Sequence, residues 1–158
     1  MIDFPMHEKW MKQAIVEAEK ARELDETPVG AVIIRDGMII GRGHNRVETF
    51  KDPTAHAEII AIGAAAEATG YERLENTVMY VTLEPCPMCA GAIVLARIPL
   101  LVFGTSDPKA GACGSLYNIC RDERLNHYVE VVSGILEHEC AAMLKEFFAS
   151  LRKRKRTV

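Results

Sequence analysis

Residues 84–91 read EPCPMCAG, placing Cys86 and Cys89 one helical turn apart, with Pro85 before the first and Pro87 between them. Thiols at the start of a helix face free backbone N–H groups and the positive end of the helix dipole, which favours their thiolate forms. A Cys-x-x-Cys alone is open to three readings: a redox pair, half of a structural zinc site, or two small buried residues. A structural zinc ribbon needs a second such pair or two histidines, and Cys113, Cys120 and Cys140 are not spaced to supply one. Thirty residues upstream, DPTAHAEIIA sets His56 and Glu58 at the start of an alanine-rich stretch. One imidazole and two thiolates make three zinc ligands, and three leave a vertex of the tetrahedron for water where a structural site would be closed by four. Zinc lowers the pKa of such a water from 15.7 towards about 7, and a carboxylate two residues past the histidine is placed to move its protons. Taken singly, His56 reads as a cap or surface residue and Glu58 as a complement to the helix dipole. Together with Pro85-Cys86-x-x-Cys89 they form the His-x-Glu, Pro-Cys-x-x-Cys signature of zinc-dependent nucleobase deamination.

These residues need two helix starts that converge. Between Glu8 and Leu24, Trp10, Met11, Ala14, Ile15, Ala18 and Ala21 recur at steps of three and four, which predicts an amphipathic helix. Val29–Ile34 and Met38–Gly43 flank Asp36-Gly37 and predict an antiparallel hairpin. A helix over Ala55–Thr69 is stopped by Gly70, a strand covers 77–83, and a helix opens at Pro87 and runs to Arg97. LLVFG (100–104) is a short buried strand, so 77–104 forms a βαβ unit with parallel strands. Residues 105–127 are a long loop of the kind that is usually functional or disordered, 128–134 a fifth strand, and Glu137–Arg154 a closing helix. The expected fold is a three-layer α/β/α sandwich on a five-stranded mixed sheet. Both helix starts that carry the chemistry follow the C-terminal side of a strand, the end where ligands of α/β proteins gather.

At 158 residues, with 49% apolar and 26% charged residues, the chain reads as one globular domain, 1–158, ending in a basic tail, 152–158. No apolar run approaches the length of a membrane span. The opening MIDFPMHEKW lacks the pattern of a secretory signal, which points to the cytoplasm, and five cysteines suit thiols or metal ligands better than a disulfide framework. Five basic residues in RKRKR offset a more acidic remainder within a net charge of −3. Basic runs at a terminus are usually solvated.

DPTAHAE with YVTLEPCPMCAGA resembles the cytidine deaminase superfamily, and within it the bacterial tRNA-specific adenosine deaminases. The resemblance extends through PVGAVI, GHNR, FGTSDPKAGACGSL and LNH to the FF of the last helix. It implies a homodimeric enzyme that converts adenosine to inosine at the wobble position of a tRNA anticodon. His56, Cys86 and Cys89 would bind one Zn2+ per subunit and Glu58 would shuttle protons. Asn45 would hydrogen-bond the purine, and the N–H of Ala57 would lie near the reacting exocyclic group. Asp107 and Lys109 are candidates for ribose or phosphate, and Arg152, Lys153 and Arg154 for the RNA backbone. The resemblance assigns no role to Cys113 or Cys120, either of which would close the site if it reached the metal. Two rivals stand beside this expectation. One is a free guanine, cytosine or nucleoside deaminase of the same superfamily, and the other a non-catalytic, zinc-stabilised RNA-binding module, which would have no need of Glu58.

Overall fold

The computed structural model describes residues 1–157. Helix α1 (Phe4–Glu23) starts four residues before its periodic stripe, because Asp3 accepts the N–H of Met6 at 3.1 Å and Pro5 is tolerated in a first turn. The buried residue of that turn is His7, whose imidazole meets the Tyr80 hydroxyl at 2.8 Å, so an apolar pattern cannot register it. Strands β1 (Gly30–Arg35) and β2 (Met38–His44) form the expected hairpin, with positive φ at both Asp36 and Gly37 as a type I′ turn requires. A four-residue helix, α2 (Val47–Phe50), follows; it is too short to leave a periodic signal. Then come α3 (Ala57–Thr69), ended by Gly70 at φ 77°, β3 (Val78–Leu83), α4 (Pro87–Leu95), β4 (Leu100–Thr105), β5 (Glu130–Val132) and α5 (Glu137–Arg156). Strand β5 is shorter than its apolar run suggests, and α5 runs two residues past the expected end at Arg154, to Arg156 within the basic tail.

The sheet order is β2-β1-β3-β4-β5, antiparallel across β2-β1-β3 and parallel across β3-β4-β5. Alternation along the strands sends Ala31, Ile33, Met79, Val81, Leu101 and Phe103 to the face covered by α3 and α4. Val32, Ile34, Tyr80 and Val102 go to the other face, under α1 and α5. Each fully buried aliphatic side chain of this kind contributes about 1.5–3 kcal/mol, so the two apolar layers hold the sheet between them. The architecture is the expected three-layer sandwich.

The helices lie unusually close to the sheet, which explains their alanines. On α3, Ala57, Ala61 and Ala65 recur every four residues, are fully buried, and lie against Gly41 and Gly43 of β2. A Cβ on Gly43 would fall 2.2 Å from the Ala57 carbonyl oxygen. Glycine and alanine together therefore set the height of the first turn of α3 above the sheet.

Candidate active site

His56 and Cys86 occupy equivalent places, each the residue before the first helical one, with extended backbones (φ −77°, ψ 153° and φ −74°, ψ 173°). Neither side chain caps its own helix. Instead, His56 Nδ1 lies 3.7 Å from Cys86 Sγ and 3.5 Å from Cys89 Sγ. A tetrahedral ion with Zn–S of about 2.3 Å and Zn–N of about 2.05 Å would set its nitrogen and sulfur donors about 3.6 Å apart. The donor set fits zinc in type and in spacing. Among the described residues this is the one cluster of three or more histidine, cysteine or acidic ligand atoms close enough to share an ion.

Cys113 and Cys120 do not join it. Their sulfurs lie 3.4 Å apart in the buried base of the 105–129 loop, while Cys140 packs beside Gly104 on the α5 side. The fourth vertex therefore has no cysteine to close it.

The titration of the cluster follows from its proximity. A hydrogen bond from the Cys89 thiol, opposed by burial and aided by His56, lowers Cys86 to about 4. The same bond pushes Cys89 upward, and the bond to Cys86 raises His56. The thiol pair releases its first proton readily and its second only to something that replaces it, which a metal cation does. Glu58, in the first turn of α3, is 4% exposed, and burial raises its carboxyl above the usual range despite the nearby imidazole. A carboxylate held in this first helical turn beside the cluster is placed to accept a proton and pass it on.

Beside this cluster lies a cavity of about 330 Å³, at the small end of the range for small-molecule pockets. Ala57, Glu58, Asn45 and Asp107 line it together with His56 and Cys86. The Ala57 N–H is one of those that a helix start leaves without an intrahelical partner. Asn45 fixes the turn after β2 by accepting from the Val47 N–H at 3.3 Å and donating to the Thr27 carbonyl at 3.4 Å. That leaves its amide one further donor and one further acceptor site. Asp107 accepts the N–H groups of Lys109 and Ala110 at 3.0 and 3.2 Å, so it shapes its own turn as well as the cavity wall. Lys109 is exposed and outside that wall. Arg152 and Lys153 are exposed on the last turns of α5, and Arg154 pairs with Asp25 at 3.1 Å, one residue before Glu26 on the cavity's edge.

Sequence reasoning missed two buried carboxylates of the cavity wall, Glu26 and Glu84, which are 1% and 2% exposed. Glu26 accepts the N–H groups of Glu48 and Thr49 and the Thr49 hydroxyl, which holds α2 in place. For Glu84 the visible signal was an acid at the end of an apolar strand. For Glu26 there was none.

Comparison with known proteins gives the family of the chain. A family model described as MafB19-like deaminase matches residues 6–152. A tRNA-specific adenosine deaminase of Bacillus subtilis is 54% identical over 149 residues, covering 94% of this chain and 92% of the relative. A solved structure from work on tRNA:A34 deaminases superposes with a TM-score of 0.82 at 48% identity, covering 85% of this chain and 97% of that one. A guanine deaminase of Bacillus subtilis superposes with a TM-score of 0.63 at 40% identity, covering 69% of this chain and 70% of that one. With its zinc-type donor trio, its buried glutamate and these relatives, the chain belongs to the MafB19-like deaminases and, among them, to the family of tRNA-specific adenosine deaminases.

Proposed function

We propose that this protein is a hydrolase that converts adenosine to inosine at the wobble position of a tRNA anticodon, working with one Zn2+ per subunit. The observation that carries the metal part is the 3.5 and 3.7 Å spacing of the His56 Nδ1 from the Cys89 and Cys86 sulfurs. His56, Cys86 and Cys89 would hold the ion, which when bound supplies the Lewis acidity that makes water nucleophilic at neutral pH. The chain's own residues do the rest.

Hydrolysis adds water across C6 of adenine and expels ammonia. Glu58 takes a proton from the attacking water and gives it to N1. It then takes the second proton from the new hydroxyl and gives it to the departing amine, so the carboxylate ends as it began. The Ala57 N–H supports the exocyclic edge, and the unused donor and acceptor of Asn45 suit a purine edge, which offers both. An anticodon loop is already single-stranded, so turning its base into the cavity costs less than extracting it from a duplex.

The basic end of α5, anchored through Arg154 to the cavity's rim, would meet phosphates, with Arg152 and Lys153 contributing charge and not sequence reading. Asp107 would face the ribose, and Lys109 a phosphate outside the pocket. The chain is read as one deaminase domain that works as a homodimer in the cytoplasm. Helix α4 is apolar around its whole circumference, and Met88 and Leu95 stand exposed on its outer face, which suits cover by a second copy. No described helix is long and apolar enough to cross a membrane.

The test offers purified protein an anticodon stem-loop with adenosine at the first anticodon position, alongside guanine, cytosine and cytidine. Ammonia release is expected from the RNA. Release from guanine alone would establish the free-base reading instead. Glu58→Ala should retain its zinc and lose at least about 100-fold in turnover, the scale of a general acid–base contribution. Near-normal turnover in that variant would refute the proton shuttle.

A further inference from the structure

Glu84 stands two residues before Cys86 on the strand end that delivers the metal ligands, and its buried carboxylate lines the cavity. It is not free to touch a substrate. One oxygen accepts the Asp107 N–H at 3.1 Å and the Ser115 hydroxyl, and the other accepts the N–H groups of Cys113 and Ser115 at 3.0 and 3.1 Å. Four donors fill the four acceptor sites of a carboxylate. All four come from the long loop after β4, which folds around this side chain so closely that a Cβ on Gly111 would sit 2.3 Å from its oxygen. The loop is strapped a second time where the Ala112 N–H meets the Pro85 carbonyl at 2.8 Å.

The loop has no helix or strand of its own, yet it supplies Asp107 and Ala110 to the cavity wall. We infer that Glu84 is the positioning residue for the substrate wall, tying the 105–115 loop to the strand end that carries Cys86 so that the nucleoside pocket keeps its shape. This inference rests on the deaminase reading of the site and deepens it. It assigns Glu84 no contact with substrate and no part in proton transfer.

Glu84→Gln tests it at nearly constant volume. The oxygen that faces Cys113 and Ser115 meets two backbone N–H groups that cannot reverse, so the new NH2 must turn to the other side. There the Ser115 hydroxyl can rotate to accept it, whereas the Asp107 N–H loses its acceptor. The expected result is a KM for the anticodon stem-loop raised at least about tenfold, equivalent to about 1.4 kcal/mol, with kcat within about threefold and one zinc retained per chain. Amide exchange should quicken at Asp107 and stay slow at Cys113. Ser115→Ala keeps three of the four bonds and should leave KM within about twofold.

Wild-type KM in Glu84→Gln, or equal losses in kcat and KM together with zinc, would overturn the inference. If that variant fails to fold, Gly111→Ala drives a methyl into the same carboxylate and should raise KM in the same way; an unchanged KM there overturns it equally. Should the wild-type protein act on guanine and not on RNA, the functional proposal fails, and the same comparison of KM and kcat is then read on guanine.

Discussion

Gly43→Ala adds one methyl group 13 residues before His56 in the chain, and it should act on catalysis more than on folding. The new Cβ would lie 2.2 Å from the Ala57 carbonyl oxygen and 2.7 Å from the Ala61 N, whereas real Cβ atoms essentially never come within 3.0 Å of a neighbour. Carbon and carbonyl oxygen settle near 3.3 Å, so the first turn of α3 must rise by about 1 Å. That turn carries His56, Ala57 and Glu58, while Cys86 and Cys89 stay on α4. A displacement of about 1 Å at a reacting group costs roughly 100-fold in rate, or about 2.7 kcal/mol of transition-state stabilisation.

The control is Gly41→Ala. Its Cβ would meet the Ala61 carbonyl at 2.5 Å and the Ala65 N at 2.9 Å, a similar clash one turn further from the site. Both variants should lose about 1–3 kcal/mol of stability from overpacking, a fall in melting temperature of roughly 2–4 °C per kcal/mol for a chain of this length. Only Gly43→Ala should lose about two orders of magnitude in kcat/KM on the stem-loop, assayed well below both melting transitions with zinc content measured in parallel. Equal activity losses in the two variants, or kcat/KM within about threefold of wild type in Gly43→Ala, would refute the idea that this contact sets the height of the catalytic turn.

Removing metal with a chelator should abolish deamination and lower the melting temperature, and zinc, but not magnesium, should restore both, because the donors are one nitrogen and two sulfurs. Full activity in protein that elemental analysis finds metal-free would refute the role given to the trio. Glu26 makes a prediction for acid stability. Burial pushes its carboxyl up, but the Thr49 hydroxyl, the N–H groups of Thr49 and Glu48 and the charge of Arg46 more than offset that and hold it below its ordinary value of 4.5. Its contribution is therefore fully present above 4.5 and lost as pH falls through the lower folded value. The stability gap between wild type and Glu26→Gln, followed by urea unfolding, should be constant near neutrality and shrink below 4.5; a gap that does not change with pH would show that Glu26 is not linked to folding in this way.

The parts of the molecule legible in the sequence were those whose signals are local. Asp36-Gly37 announced a hairpin, Pro87 a helix start and Gly70 a helix end, because each reports a backbone conformation that few residues adopt. The clustering of His56, Cys86 and Cys89 was legible for a different reason: the residue types are rare enough at helix starts that two such starts constrain each other. The start of α1 and the whole of α2 escaped notice, since the buried partner of the first is a histidine and the second is held by Glu26 from 22 residues away. Glu84 showed as an acid at the end of an apolar strand, but its role did not, since three of its four partners are backbone N–H groups of the 105–115 loop that no residue type advertises.

The near-uniform run of alanine and isoleucine in α3 concealed which of its faces meets the sheet, and the answer lies in size more than in polarity. Ala57, Ala61 and Ala65 are wholly buried, while Ile59, Ile60 and Ile62 are only half-buried, the reverse of what a hydrophobicity ranking would place inside. The smallest side chains go inward because Gly41 and Gly43 leave no room for larger ones. The larger apolar groups are thereby turned outward and towards α4. The same close approach that brings His56 within reach of two thiols thus also leaves the α3 and α4 layer with an apolar exterior. In this way one steric choice on β2 bears on both the metal site and the surface proposed to meet a second subunit.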